Sequence, residues 1–151
     1  MADQVTVQIS GLEELQKALE QLADKTGTQT VRAAARAGGT VIKNEMVLQA
    51  PHGETNTLAD PKNFTVGTRK QTGEPLAVTA LIGPNNRKII YPRTVGKTKG
   101  IPRTAAFISK LLEFGSATRS AKKAFITAAF EVSKNKAVDR VIEVLKEKLN
   151  L

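Results

Sequence analysis

Val5, Val7 and Ile9 alternate with Thr6 and Gln8, and this period of two predicts a strand over residues 4–9 with one buried face. Ser10-Gly11-Leu12-Glu13 follows, a capping box in which the serine and the glutamate three residues on satisfy free backbone N–H groups at a helix start. Leu12, Leu15, Leu19 and Leu22 then recur at helical spacing, with charged positions opposite. Thr26-Gly27-Thr28 is expected to end that helix or link it to the next.

A second helix is predicted over residues 29–49, with Val31, Ala34, Ala35, Gly38, Val41, Ile42 and Met46 sharing a face. Gly38-Gly39 in its middle costs about 1 kcal/mol per glycine relative to alanine. A close helix crossing over the missing side chains is the expected compensation, and a kink the next. Pro51 prevents a clean continuation. Residues 51–75 are rich in turn formers. Leu76, Val78, Ala80 and Ile82 predict a strand over residues 76–82, stopped by Gly83-Pro84-Asn85-Asn86, with Phe64–Thr68 as its partner. A second irregular stretch covers residues 85–103 and holds a short strand at Ile89-Ile90-Tyr91. Thr104 caps a helix over Ala105–Phe114, on which Phe107, Leu111 and Phe114 share a face, and Gly115 ends it. The last helix is predicted over Lys122–Lys148, with Val138, Val141, Ile142, Leu145 and Leu149 as its stripe.

These elements define an α+β fold, a small antiparallel sheet of three or four strands packed by a long second helix and a long C-terminal helix, with two long loops. The 151 residues suit one domain spanning 1–151, and hydrophobic residues at 40% supply one core. Aromatics are only 4%, so aliphatic side chains must fill most of it.

The chain has no cysteine, which removes disulfides, thiol nucleophiles and cysteine metal sites together. No apolar run approaches the roughly 20 residues that cross a bilayer, and the N-terminus carries no signal-like segment. A soluble chain used in the cytoplasm, without a membrane partner, is the expectation.

Charge changes the picture more. The net charge is +9, from 23 Lys and Arg against 14 Asp and Glu, and such a surplus implies acidic company. The placement is uneven. Asp3, Glu13, Glu14, Glu20 and Asp24 make the first thirty residues acidic. From Pro75 to Leu112 there is no acid, yet Arg87, Lys88, Arg93, Lys97, Lys99, Arg103 and Lys110 lie there.

Catalytic and cofactor chemistry finds little footing. His52 is the single histidine, without cysteine or a carboxylate pair to share a metal, so it reads as a surface residue. Gly96-Lys97-Thr98 resembles the tail of a phosphate-binding loop, but Tyr91 stands where the first glycine belongs and Pro102 follows closely. No serine sits in a nucleophile elbow. No catalytic, metal or cofactor residue is assigned, and no enzyme activity is expected. Within the basic stretch only Tyr91 could stack on a single-stranded base, and no helix concentrates base-reading side chains. Non-specific phosphate contact and protein contact remain.

Several pieces together resemble the tail-completion, or head–tail joining, family of siphophages, the Hong Kong ninety-seven-type gene-ten product family. The opening Val5-Thr6-Val7-Gln8-Ile9-Ser10-Gly11-Leu12-Glu13-Glu14-Leu15 is similar to the family's strand and Gly-Leu turn into a helix. Ala50-Pro51 then precedes Thr55-Asn56-Thr57-Leu58, where the family shows Thr-Gly-x-Leu, and asparagine also tolerates a left-handed backbone. Ile82-Gly83-Pro84 fits, as does Leu112-Glu113-Phe114-Gly115-Ser116 beside the family's Glu-Phe-Gly-Thr. Ala124-Phe125-Ile126-Thr127-Ala128-Ala129 is similar to Pro-Phe-x-x-Pro-Ala with alanine at both prolines, a loss expected to lengthen the final helix. Read locally, Phe114 and Phe125 are expected core anchors and Gly115 a cap. Glu113, next to buried residues, calls for a partner such as an arginine.

The resemblance implies a structural virion protein made in the host bacterial cytoplasm. It would form a homo-oligomeric ring in the neck, six-fold to match the tail, beside connector or tail-terminator proteins and around passing genome DNA. Ring contacts are heterologous, so one subunit carries two complementary patches. The acidic N-terminal region and the basic loop, with Arg87, Lys88, Arg93, Lys97, Lys99 and Arg103, are the expected patches, the loop meeting protein and ordering on assembly. The alternative is a basic accessory protein that binds DNA non-specifically.

Overall fold

The computed structural model describes residues 12–21, 24–52, 58–74, 76–90, 102–115 and 123–150. The strand expected over residues 4–9, the Ser10 cap, Gly11 and the Thr55-Asn56-Thr57 turn lie outside them. Helix α1 covers Leu12–Glu20, and α2 covers Asp24–Gln49. A 3-10 turn at Pro61–Asn63 leads into strand β1, Phe64–Lys70, which is followed by β2, Val78–Pro84. Short strands β3, Lys88–Ile90, and β4, Pro102–Thr104, precede helices α3, Ala105–Phe114, and α4, Phe125–Leu149.

The fold is α+β, as the periodicities imply, with two long helices carrying the strands. Its described strands form two separate antiparallel ladders, β1–β2 and β3–β4. In the first, Val66 stands opposite Ile82 and Lys70 opposite Val78. In the second, Lys88 stands opposite Thr104 and Ile90 opposite Pro102. Strand β2 begins two residues later than its alternation implies and runs through Gly83 and Pro84, which had been expected to stop it. Pro84 is tolerated because it is the last residue of the ladder, where a missing N–H matters least.

Helix α2 starts at Asp24 and passes straight through Thr26-Gly27-Thr28, where a break was expected. Gly27 and Thr30 are buried there, so packing overrides a local propensity cost of about 1 kcal/mol. The glycine pair is compensated as expected. A Cβ on Gly38 would lie 2.5 Å from Val141 Cγ2 and 2.8 Å from the Ala137 carbonyl oxygen, so α4 crosses against bare backbone. A Cβ on Gly39 would lie 2.7 Å from Val66 Cγ1 and 3.2 Å from Ile82 Cγ1. One glycine thus seats the partner helix and the next seats the opposed Val66–Ile82 pair of the sheet.

Around this junction the core divides in two. Ile42, Met46, Leu58, Phe64, Ile108 and Phe125 belong to the larger cluster. Phe125 meets Phe64 edge-on, with ring centroids 6.3 Å apart, as its anchor role implies. Leu15, Ala34, Val144 and Leu145 form the smaller cluster, backed by Val141, Ile142 and Leu149 of the predicted stripe. Arg32 of α2 donates to the hydroxyl and carbonyl oxygens of Thr68, tying the helix to β1.

Helix α4 begins at Phe125 rather than Lys122, and Lys123 and Ala124 precede it in non-helical backbone. Ala124 makes no side-chain cap. The capping oxygens come from α3 instead. Glu113 is buried, and its carboxylate accepts the Ile126 N–H at 2.9 Å, the Thr127 N–H at 3.0 Å and the Thr127 hydroxyl. The expected arginine is not its partner among the described residues. A helix N-terminus supplies both the donors and a favourable dipole, which is why a carboxylate can be buried there.

Phe114 corrects another expectation. It is 75% exposed, and Phe107 is 45% exposed, so the aromatic face of α3 is not the core face. Ala105, Ile108, Ser109 and Glu113 are buried instead. Gly115 ends the helix at φ +76°, the cap geometry that glycine admits without strain.

Candidate assembly surfaces

The base of the basic stretch is built around Asn85. Its backbone N–H donates to the Asn63 carbonyl at 2.8 Å, and its side-chain amide donates to the Lys62 carbonyl at 2.7 Å. Its side-chain oxygen accepts the Arg87 N–H at 2.9 Å, and its own carbonyl accepts the Ala106 N–H at 2.9 Å. The Ala105 N–H donates to the Arg87 carbonyl at 3.0 Å, and Thr104 Oγ1 accepts the Phe107 N–H at 3.2 Å as the α3 cap. One asparagine therefore joins the 3-10 turn, the β3 entry and the first turn of α3. Sequence reasoning gave Asn85 only a stop role. Its signal was present in the Pro-Asn-Asn run, since asparagine side chains bond to nearby backbone in turns.

On this base, the sequence-singled cations fall in three places. Arg87 lies 3.7 Å from Asp60 across an exposed surface, so its charge is partly answered within the chain. Lys88 stands opposite Thr104 in the ladder, so Arg103, one residue before Thr104, projects to the other face. Among the described residues Lys88 and Arg103 thus lie on opposite faces of the ladder and do not share one flat patch. Arg103 places its guanidinium carbon 5.3 Å from the centre of the Phe107 ring, and Lys110 is exposed one helical turn further along α3. Arg93, Lys97 and Lys99 lie outside the described residues.

The residues of the motif resemblance are structural in different ways. Leu12 is the first residue of α1, Pro51 follows the end of α2, and Leu58 is buried. Gly83 and Pro84 close β2, while Glu113 and Gly115 hold the two ends of the α3–α4 junction.

A second surface is apolar. Between β2 and α4, over α2 as floor, runs an open groove of about 380 Å³. Val78, Ala80 and Ile82 form one wall, Val138 and Val141 the other, and Ala35 lies in the floor. Away from the groove α4 carries the Arg140–Glu143 pair at 2.5 Å, whereas Lys134, which lines the groove, reaches Glu131 at 2.5 Å. Glu143, hydrogen-bonded to the Arg140 guanidinium, raises its pKa above the ordinary value.

Chemistry-bearing groups do not converge on either surface. His52 is exposed. Among the described residues no three of His, Cys, Asp and Glu stand close enough to hold a metal ion, and no helix is long and apolar enough to cross a membrane. Compared with known proteins, the chain matches no family model, no curated protein and no solved structure.

Proposed function

We propose that this chain is a structural, non-enzymatic component of a long-tailed bacteriophage. In that reading it completes the tail or joins it to the head, as one subunit of a ring around the DNA channel. The order of motifs along the chain supports it, from Gly11-Leu12 through Pro51, Leu58, Gly83-Pro84 and Glu113-Phe114-Gly115 to Phe125. The observation that carries it is the exposed arginine–aromatic surface at the base of the basic stretch, where Arg103 stacks on half-exposed Phe107. Arginine and aromatic side chains held together are what protein interfaces concentrate at their centres. Phe114, at the end of the same helix, adds a second exposed ring. Six-fold symmetry would match the tail, and the contacts would be heterologous, basic surface against a different, acidic patch of the next subunit or of a neck protein.

The net charge of +9 favours one second reading, a basic accessory protein that grips duplex DNA without sequence preference. The two readings part in assembly and salt response. Native mass spectrometry of the purified chain, alone and with connector proteins, is expected to show closed rings, and immunogold labelling to place it at the virion neck. Absence from purified virions overturns the neck reading. Retardation of duplex DNA with a steep salt slope, and no assembly, moves the assignment to the second.

A further inference from the structure

Helix α3 carries its rings on the outside in a regular way. Its buried side is Ala105, Ile108, Ser109 and Glu113. Opposite that side run Phe107, Lys110 and Phe114, all exposed, at intervals of three and four residues that keep them on one stripe. Arg103 extends the stripe beyond the helix start, with its guanidinium over the Phe107 ring. The stripe therefore reads cation, ring, cation, ring. Seven positions separate Phe107 from Phe114, which spaces them about 10.5 Å along the axis.

Its charge is one-sided. Glu113, the single acid of α3, is buried and committed to the Ile126 and Thr127 amides. Among the described residues no carboxylate pairs with Lys88, Arg103 or Lys110. Several of the chain's own exposed acids are already answered: Asp60 by Arg87, Glu131 by Lys134, and Glu143 and Glu147 by Arg140. Two copies also repel each other, since each carries a net charge of +9. These charges favour an acid brought by another protein.

Size and spacing narrow the partner. At about 200 Å² per buried aromatic side chain, rings exposed by 45% and 75% offer roughly 250 Å². A stable pairwise interface takes about 800 Å² from each side. The stripe suits a short segment held weakly, which gains strength when several copies act together. A facing helix repeats its side chains about every 10.5 Å over two turns, the interval between the rings, whereas a strand repeats one face about every 6.8 Å. A stacked base fits less well, because Arg103 already stands over the Phe107 ring.

We propose that the outward stripe of α3 is the docking site for a short acidic amphipathic helix of a different protein. An aliphatic side chain of that helix enters between Phe107 and Phe114, and its carboxylates meet Arg103 and Lys110. The inference rests on the reading of α3 as an assembly surface and names the chemistry of what assembles there.

The test uses the full chain and three probes. The first is a synthetic helical peptide of about four turns, with leucine along one face and glutamate elsewhere. The second has lysine at every glutamate, and the third is oligothymidylate. Amide NMR titration is expected to show the glutamate peptide shifting α3 resonances and binding about tenfold more tightly than the lysine peptide. Phe114→Ser should weaken the glutamate peptide about tenfold, and Lys110→Glu should turn the preference toward the lysine peptide. Both substitutions fall on exposed side chains, and unchanged spectra away from α3 show that the fold is kept. Equal binding of the two peptides, shifts confined to other elements, or tighter binding of oligothymidylate at α3 overturns the proposal. Self-association that moves the same α3 resonances without any probe also overturns it. Failure of the glutamate peptide, with the chain still found at the virion neck, sinks the docking site alone. Peptide binding by a chain absent from virions sinks the neck reading alone.

Discussion

The Glu113 carboxylate caps α4 through the backbone N–H groups of Ile126, at 2.9 Å, and Thr127, at 3.0 Å, although it belongs to α3. A capping group ordinarily lies just before its helix in sequence, and here it lies thirteen residues before Ile126. The junction of α3 and α4 is therefore held by one side chain. The Lys123 N–H, which donates to the Leu112 carbonyl at 2.7 Å, closes the same corner.

Removing that carboxylate should be costly. Glu113→Ala leaves two amides and a hydroxyl without their acceptor, and a loss of about 2–4 kcal/mol is expected. Glu113→Gln keeps one acceptor oxygen and should lose less. Urea unfolding of both variants checks the order, and equal losses would show that one remaining acceptor oxygen does not hold the corner and that the full carboxylate is needed.

Gly38 and Gly39 should respond differently to alanine. Each substitution gains about 1 kcal/mol of helix propensity. At Gly38 the new methyl would meet the rigid Ala137 carbonyl oxygen at 2.8 Å as well as Val141, and a net loss of about 1–3 kcal/mol is expected. At Gly39 the nearest atoms are side-chain carbons of Val66 and Ile82, which can shift. Thermal unfolding should rank Gly38→Ala clearly below Gly39→Ala.

Ser109 offers a prediction of opposite sign. Its hydroxyl is fully buried, with no hydrogen-bond partner among the described residues. An unanswered buried hydroxyl costs about 1–3 kcal/mol relative to water. Ser109→Ala should be neutral or raise the melting temperature, whereas Ser133→Ala removes a bond to the Ala129 carbonyl and should not raise it.

Asn85→Ala should loosen the basic stretch without unfolding the domain. It deletes the bonds to the Lys62 carbonyl and from the Arg87 N–H, at a cost of about 1–2 kcal/mol. Hydrogen exchange should quicken at Arg87 and Ala106 and stay unchanged in the middle of α2. Uniform acceleration would mean that the base is not a local unit.

Phe114→Ser separates folding from assembly. The ring is 75% exposed, so the unfolding free energy should move by no more than about 0.5 kcal/mol. Ring formation or binding to neck proteins should weaken if α3 presents a contact surface. A large fall in the stability of the isolated chain would return Phe114 to the core.

Much of this molecule is written in short-range pattern. Thr104 as cap, Gly115 as stop and Ala105–Phe114 between them were legible because capping depends on residues three or four positions apart. The α2 glycine pair announced a close crossing because only packing can compensate for two poor helix formers. The candidate surface was legible as charge, since a stretch from Pro75 to Leu112 without acid is visible in any order of folding.

Other features became readable only in three dimensions. Periodicity on α3 favoured Phe107 and Phe114 as the buried face, yet the helix rolls to bury Ile108, Ser109 and Glu113. With Glu113 turned to the start of α4, Phe107 and Phe114 fall on the outward side of the helix. Asn85 likewise looked like a turn residue, and its role appeared once Lys62, Arg87 and Ala106 met around it. The sequence by itself determined the bodies of the long helices and the β1–β2 pair, because those follow from propensity and period, whereas strand β4 and the start of α2 followed from tertiary contacts. Tertiary structure decided which face each one buries and what answers a buried charge, because those depend on partners that lie far along the chain.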